Sequence, residues 1–204
     1  MTPAAFEYVR AGSVDEALAA LAEQGDEAKV IAGGHSLLPL MKRRLATPAV
    51  LVDVGPLAEL SYVREEGDEI RVGGLTRHHD VERSDLVRQQ CGLLAHVASF
   101  VGDPQVRHRG TIGGSIAHGD PASDLPAALI ALGGSLVVRG KRGDRVMPAS
   151  GFFRGFLETA LAPDELLRGL IGRDRGAGLL ARSRERRVRS PHSPRLPARR
   201  GIAA

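Results

Sequence analysis

The sequence predicts an α+β domain rather than a doubly wound sheet, on three observations. Helical and strand-like segments are mixed without a regular strand–helix repeat, two hairpins interrupt the order, and glycine pairs close several strands. No internal repeat of solenoid type is present.

The opening residues are acidic and read as helix-like. Ser13-Val14-Asp15-Glu16 is a capping-box pattern, and Val14, Ala17, Leu18 and Leu21 follow at helical spacing until Gly25. Lys29 to Ala32 reads as a short buried strand running into Gly33-Gly34. Leu37 to Leu45 is a short helical or irregular crossing whose Lys42, Arg43 and Arg44 read as a solvated face. Val50 to Val54 is a second strand, closed by Gly55-Pro56. A hairpin spans Tyr62 to Val72 around Glu66-Gly67-Asp68, and Gly73-Gly74 reads as a strand end. One helix is expected from about Ser84 to Phe100, then a glycine-dense loop from Gly102 to Pro121. A helix capped by Ser123 or Asp124 follows to about Leu132, with Pro126 tolerated in its first turn. Leu136 to Arg139 and Arg145 to Met147 form a second hairpin.

The domain division expected is a folded body over residues 1–168 and a tail over 169–204. In the tail, 26 of 36 residues are Arg, Gly, Ala, Pro or Ser, a composition that cannot bury enough apolar surface to offset chain entropy, so disorder is expected. The charge divides at the same place: the body carries −4 and the tail +8. The basic pI is thus a property of the tail, which has no aromatic residue to stack on nucleobases; nucleic acid is not the expected partner. No apolar run is long enough to span a membrane, and the start has no basic-then-apolar leader, so the expected location is cytoplasmic. The single cysteine, Cys91, excludes an internal disulfide and reads as a small apolar residue on a helix.

Two segments carry the candidate chemistry. Ala32-Gly33-Gly34-His35-Ser36 follows a strand, and Thr111-Ile112-Gly113-Gly114-Ser115 repeats its form within the glycine-dense loop. Glycine permits positive φ and close approach of a ligand, and successive amides can form a concavity that holds an anion. A dinucleotide diphosphate suits two such nests. Asp120 and Asp124 follow the second segment; a carboxylate there can accept from sugar hydroxyls, or Asp124 can cap the helix it begins. Neither segment has the Rossmann spacing, and no P-loop is present. The seven histidines lack metal-ligand spacing, and no nucleophile elbow surrounds a serine, so neither a metal nor a catalytic triad is expected.

These segments, with Leu37 to Lys42, Arg44 to Pro48, Asp103 to Gly110 and Gly119 to Pro126, resemble the FAD-carrying medium subunits of the aerobic carbon monoxide dehydrogenase and xanthine dehydrogenase family of molybdenum hydroxylases. The resemblance covers about Phe6 to Leu167. It implies a PCMH-type, vanillyl-alcohol-oxidase-like FAD fold of two small α+β subdomains. It also implies an oxidoreductase role: FAD would receive electrons from the iron–sulfur clusters of a small 2Fe-2S subunit, serving a large molybdenum-cofactor subunit, and pass them to an external acceptor. By the same resemblance, Ala32 to Ser36 and Thr111 to Ser115 would wrap the diphosphate, Asp124 would hold a cofactor hydroxyl, and Leu167 would lie near the flavin or adenine. Ser115 stands where the family often has asparagine. Family members continue beyond Leu167 with a further domain, so the arginine-rich tail reads as a shifted frame or truncation rather than a natural basic arm. Two rival expectations follow from the tail: an inert truncated product, or a basic binding module without redox activity.

Overall fold

A computed structural model describes residues 2–172, and the tail from residue 173 lies outside the described residues. The opening segment is a strand, not a helix. β1 (Glu7–Arg10) pairs in parallel with β3 (Val50–Asp53), an interaction supplied by residues more than forty positions away, which local pattern cannot reveal. Between them, α1 (Val14–Gln24) begins on the expected cap: the Glu16 amide donates to Ser13 Oγ at 3.1 Å. The Glu16 carboxylate reaches back to the Gly12 amide at 2.7 Å, one residue before the usual capping-box partner. β2 (Ala28–Ile31) pairs in parallel on the other side of β3, giving the order β1-β3-β2. Ala17, Leu18 and Leu21 of α1 close over Val50 and Val52, forming the smaller core with Leu57, Leu60 and Leu166.

α2 (Leu37–Lys42) crosses between β2 and β3 and ends in a Schellman turn. The Leu45 amide donates to the Leu40 carbonyl and the Arg44 amide to Met41, with Arg44 at φ 57 in the position that glycine usually fills.

The larger unit is a five-stranded antiparallel sheet. β4 (Val63–Glu66) and β5 (Glu69–Gly73) form the expected first hairpin. α3 (His78–Arg83) follows, then α4 (Asp85–Gln90) and α5 (Gly92–Phe100) in place of the single helix expected. The break falls at Cys91, which leaves the helical region at φ −143, ψ 51; it is followed by Gly92, a poor helix residue. Cys91 is buried in the core as expected, but between helices rather than on one.

The segment from Gly102 to Pro121 is likewise no loop. It contains α6 (Pro104–Arg109) and α7 (Ile112–His118). Asp103 caps α6, accepting from the Val106 amide at 3.0 Å with Pro104 in the first turn; Thr111 caps α7. Both are ordinary helix-start signals that the density of glycine concealed. α8 (Asp124–Ala131) forms where expected. The second hairpin, β6 (Ser135–Gly140) and β7 (Gly143–Pro148), is followed by the small pair β8 (Phe153–Gly155) and β9 (Glu158–Thr159).

β10 (Leu166–Gly172) then enters the middle of the sheet, in the order β4-β5-β10-β6-β7. It runs past residue 168, where the compositional change suggested that regular structure ends. Leu170 and Ile171 are buried because the central strand is flanked on both sides. The main core joins Ile70, Val72, Leu136, Val138 and Leu170 of this sheet to Leu94, Ile112, Leu125 and Leu129 of the helices.

Arg44 carries the cost of a left-handed backbone with a side chain. Arg44→Gly is expected to raise the unfolding free energy by roughly 0.5–1 kcal/mol, the relief of strain partly offset by a more flexible unfolded chain. Urea denaturation of the two proteins measures it; equal or lower stability of the variant would refute the strain.

Candidate functional site

The structure brings both glycine segments together, through the backbone. Gly33 lies where a β-carbon would collide with the Arg109 carbonyl and sit 2.8 Å from the Gly110 Cα. Gly113 packs on Gly74, whose Cα would lie 2.7 Å from a β-carbon at Gly113. Gly74 in turn packs against the Leu167 carbonyl, and its amide donates to Arg168 at 2.8 Å. The third glycine pair, Gly73-Gly74, therefore ties the second segment to β10, while the first segment meets the residues just before the second, Arg109 and Gly110.

Once assembled, the two segments differ. The first is an open turn between β2 and α2, and Gly34 adopts φ 76, which only glycine takes at little cost. Among the described residues, the amides of Gly33, Gly34, His35 and Ser36 donate no hydrogen bond. The side chains of His35 and Ser36 are exposed. Four successive amides without internal partners lie at the carboxyl end of a parallel strand, where α/β sheets place ligands, and such amides can receive an anion.

The second segment is the first turn of α7, and its amides are already used. Ile112 donates to the Thr76 carbonyl and Gly113 to Gly74, both at 2.9 Å; Gly114 donates to Thr111 Oγ1 at 3.1 Å, and Ser115 to the Thr111 carbonyl at 3.0 Å. Thr111, Ile112 and Gly113 are buried. What it offers a ligand is the bare, exposed Cα of Gly114 and the half-buried hydroxyl of Ser115, 3.5 Å from Ser123 Oγ. Asp124 follows Ser123 at the start of α8, exposed, its carboxylate without a partner among the described residues. Asp120 is spent on its own turn, accepting from the Ala122 amide at 2.8 Å. Leu167 is half-buried on β10, and the site meets it through its backbone contact with Gly74.

Residues not singled out from sequence hold this assembly. Thr76 is buried, donates to the Tyr62 carbonyl at 2.9 Å and accepts from the Tyr62 amide at 3.1 Å, fixing the turn after Gly74. His78 is 3% exposed, and its ring packs on Gly110. Burial, with Arg107, Arg77 and His35 nearby, lowers its pKa to about 4, and its Nδ1 has no hydrogen-bond partner among the described residues. His79 and His108 stack with ring centroids 3.9 Å apart. A clue in the sequence was Gly-Gly-x-Thr after β5, which echoes the glycine-and-hydroxyl pattern of the other two segments. Among the described residues no group of three or more His, Cys, Asp or Glu is placed to hold a metal ion, and no helix is long and apolar enough to cross a membrane.

An α+β fold here presents an open amide turn at the end of a parallel strand, set against the residues that lead into a glycine-rich helix start. The chain belongs to the family described as the FAD binding domain in molybdopterin dehydrogenase, which matches residues 4–171. Among its relatives, the carbon monoxide dehydrogenase medium chain of Hydrogenophaga pseudoflava is 47% identical over 167 residues, which are 82% of this chain and 58% of that one. The caffeine dehydrogenase subunit beta of Pseudomonas sp. (strain CBB1) is 42% identical over 168 residues, 82% of this chain and 57% of its own length. Among solved structures, carbon monoxide dehydrogenase from Hydrogenophaga pseudoflava lacking the Mo-pyranopterin moiety superposes with a TM-score of 0.85 at 46% identity, covering 87% of this chain and 62% of that one. The chain thus spans less than two thirds of the length of these relatives. FAD is the cofactor of the domain, and the residues fit it: the amides of the open turn suit its diphosphate, and the exposed Gly114 leaves room beside it.

Gly113→Ala sets a methyl group against rigid backbone, whereas in Gly114→Ala it meets only the Thr111 hydroxyl. The first substitution is expected to cost about 3 kcal/mol or to prevent folding, and the second about 1 kcal/mol through the lost cap. Chemical denaturation separates the two, and equal costs would refute the close packing.

His78 adds a pH dependence. Its pKa is about 4 in the folded protein against 6.5 unfolded, so between these values the unfolded chain binds the extra proton. Stability should therefore fall as pH drops from 6.5 to 4, by up to about 3 kcal/mol from this residue. His78→Leu should flatten that part of the profile; an unchanged slope would refute the assignment.

Proposed function

We propose that this chain is the flavin-carrying subunit of a molybdenum hydroxylase, holding FAD between a partner's iron–sulfur clusters and an external electron acceptor. The observation that carries the reading is the open turn from Gly33 to Ser36, four unpartnered amides at a strand end, in a chain of the FAD-binding family. The names of its relatives, medium chain and subunit beta, favour an assembly with other subunits: a large one with the molybdenum cofactor and a small 2Fe-2S one. When bound, FAD supplies the ability to accept and release electrons.

The chain's own residues then divide the work. Ala32, Gly33, Gly34, His35 and Ser36 receive the diphosphate through amides and the serine hydroxyl. Thr111, Ile112 and Gly113 act as the buttress that positions this turn, while Gly114 and Ser115 form the wall facing the cofactor. Asp124 accepts from a ribose or ribityl hydroxyl, and Leu167 borders the flavin or adenine. Substrate choice belongs to another subunit, since the relatives named above act in carbon monoxide and caffeine dehydrogenases at similar identity to this chain.

The purified chain, reconstituted with FAD, is expected to show a flavin absorption band that survives desalting. Gly33→Val should abolish it; Ser36→Ala, at an exposed position, should keep the fold and weaken binding by about ten-fold, the worth of one hydrogen bond to a charged group. A folded wild-type chain that stays colourless after reconstitution would overturn the reading.

A further inference from the structure

Only neutral groups, the amides and the Ser36 hydroxyl, face the diphosphate in the site proposed above, yet three arginines lie beside it. α3 and α6 pack together, bringing Arg77-His78-His79 close to Arg107-His108-Arg109, as the stacked rings of His79 and His108 show. Of the three arginines, Arg107 is neutralised by Glu82, with N–O 2.9 Å. Arg77 and Arg109 have no carboxylate within ion-pair distance among the described residues.

Arg77 is the better placed of these two. It is half-buried, and its guanidinium donates to the Arg109 carbonyl. That carbonyl is the atom with which a β-carbon at Gly33 would collide. One carbonyl group thus separates the guanidinium from the first residue of the open turn. The backbone of Arg77 also bridges Thr111, which fixes where its side chain begins. Burial and the charge of Arg109 both lower the Arg77 pKa, while Asp80 opposes them only weakly. Two neighbouring guanidinium groups without a carboxylate repel each other, and an anion between them and the turn removes that repulsion.

We propose that Arg77 is an anion-binding residue of the site, supplying the formal positive charge that the Gly33–Ser36 amides lack and neutralising a dinucleotide diphosphate. This rests on the FAD reading above. A guanidinium has five donors in a planar fork, so Arg77 can keep its bond to Arg109 and still present N–H groups to phosphate oxygens. A diphosphate has acceptor oxygens enough to satisfy the amides and the guanidinium together.

The test is calorimetric titration of the full chain and three variants with FAD and with ADP, at low and high salt. Arg77→Lys keeps the charge, Arg77→Gln keeps a donor for the Arg109 carbonyl without charge, and Arg77→Met keeps neither. Arg77→Gln and Arg77→Met are expected to bind both ligands at least about ten-fold more weakly, Arg77→Lys within about three-fold, and the neutral variants should lose part of the wild-type salt dependence. Arg77→Gln binding within about two-fold of wild type would overturn the inference. So would weakening confined to Arg77→Met, since Arg77 would then act only through its bond to Arg109. So would equal weakening in all three variants with unchanged salt dependence, the pattern of a packing role. A folded wild-type chain that binds neither FAD nor ADP overturns the FAD reading itself, and this inference with it. Wild-type binding with an unaffected Arg77→Gln variant overturns the inference alone.

Discussion

Backbone packs directly on backbone at Gly33, Gly74 and Gly113, and the site exists only because no side chain stands between them. A hydrogen bond from the Gly113 amide to the Gly74 carbonyl, at 2.9 Å, and one from Gly74 to Arg168, at 2.8 Å, tie the start of α7 to the turn after β5 and to β10. Gly33 completes the chain of contacts by lying against Arg109 and Gly110. The small parallel sheet thereby meets the larger antiparallel one at a seam of peptide groups. A methyl group in that seam would separate layers that interior packing density leaves no room to move.

This seam explains why two similar glycine motifs do different work. The amides of the second are consumed in holding α7 in place, which is what an N-terminal turn buried in an interface requires. The amides of the first remain available because Gly33 touches the seam with its α-carbon and the N–H groups of Gly33 to Ser36 meet no partner among the described residues. One motif is structural support, and the other keeps its amides open. Glu82 offsets Arg107, while Arg77 and Arg109 form no ion pair among the described residues, with Asp80 the carboxylate that acts on Arg77 from farther away. His78, neutral and buried against Gly110, fills space without adding another charge.

Features encoded by near neighbours were legible: the cap at Ser13, the two hairpins, α8, and the strand that ends in Gly33-Gly34. Features that depend on distant partners were not. β1 is a strand because β3 offers it an edge, and nothing within Glu7–Arg10 says so. The helices α6 and α7 were hidden for the opposite reason, since their caps at Asp103 and Thr111 are local but the surrounding glycines resemble a loop. β10 continues past residue 168 because it is flanked by β5 and β6, which outweighs the weak local signal of Gly169 and Gly172.

By itself, the sequence determined the α+β class, the family, and the positions of the two glycine segments that the fold brings near each other, because these follow from residue type and short-range spacing. The tertiary structure alone decided which amides remain free, that Gly74 joins the second segment to β10, and that Arg77 lies beside the turn. Hydrogen-bond satisfaction and close backbone approach are properties of groups brought together from far along the chain, and no local pattern records which of them will meet.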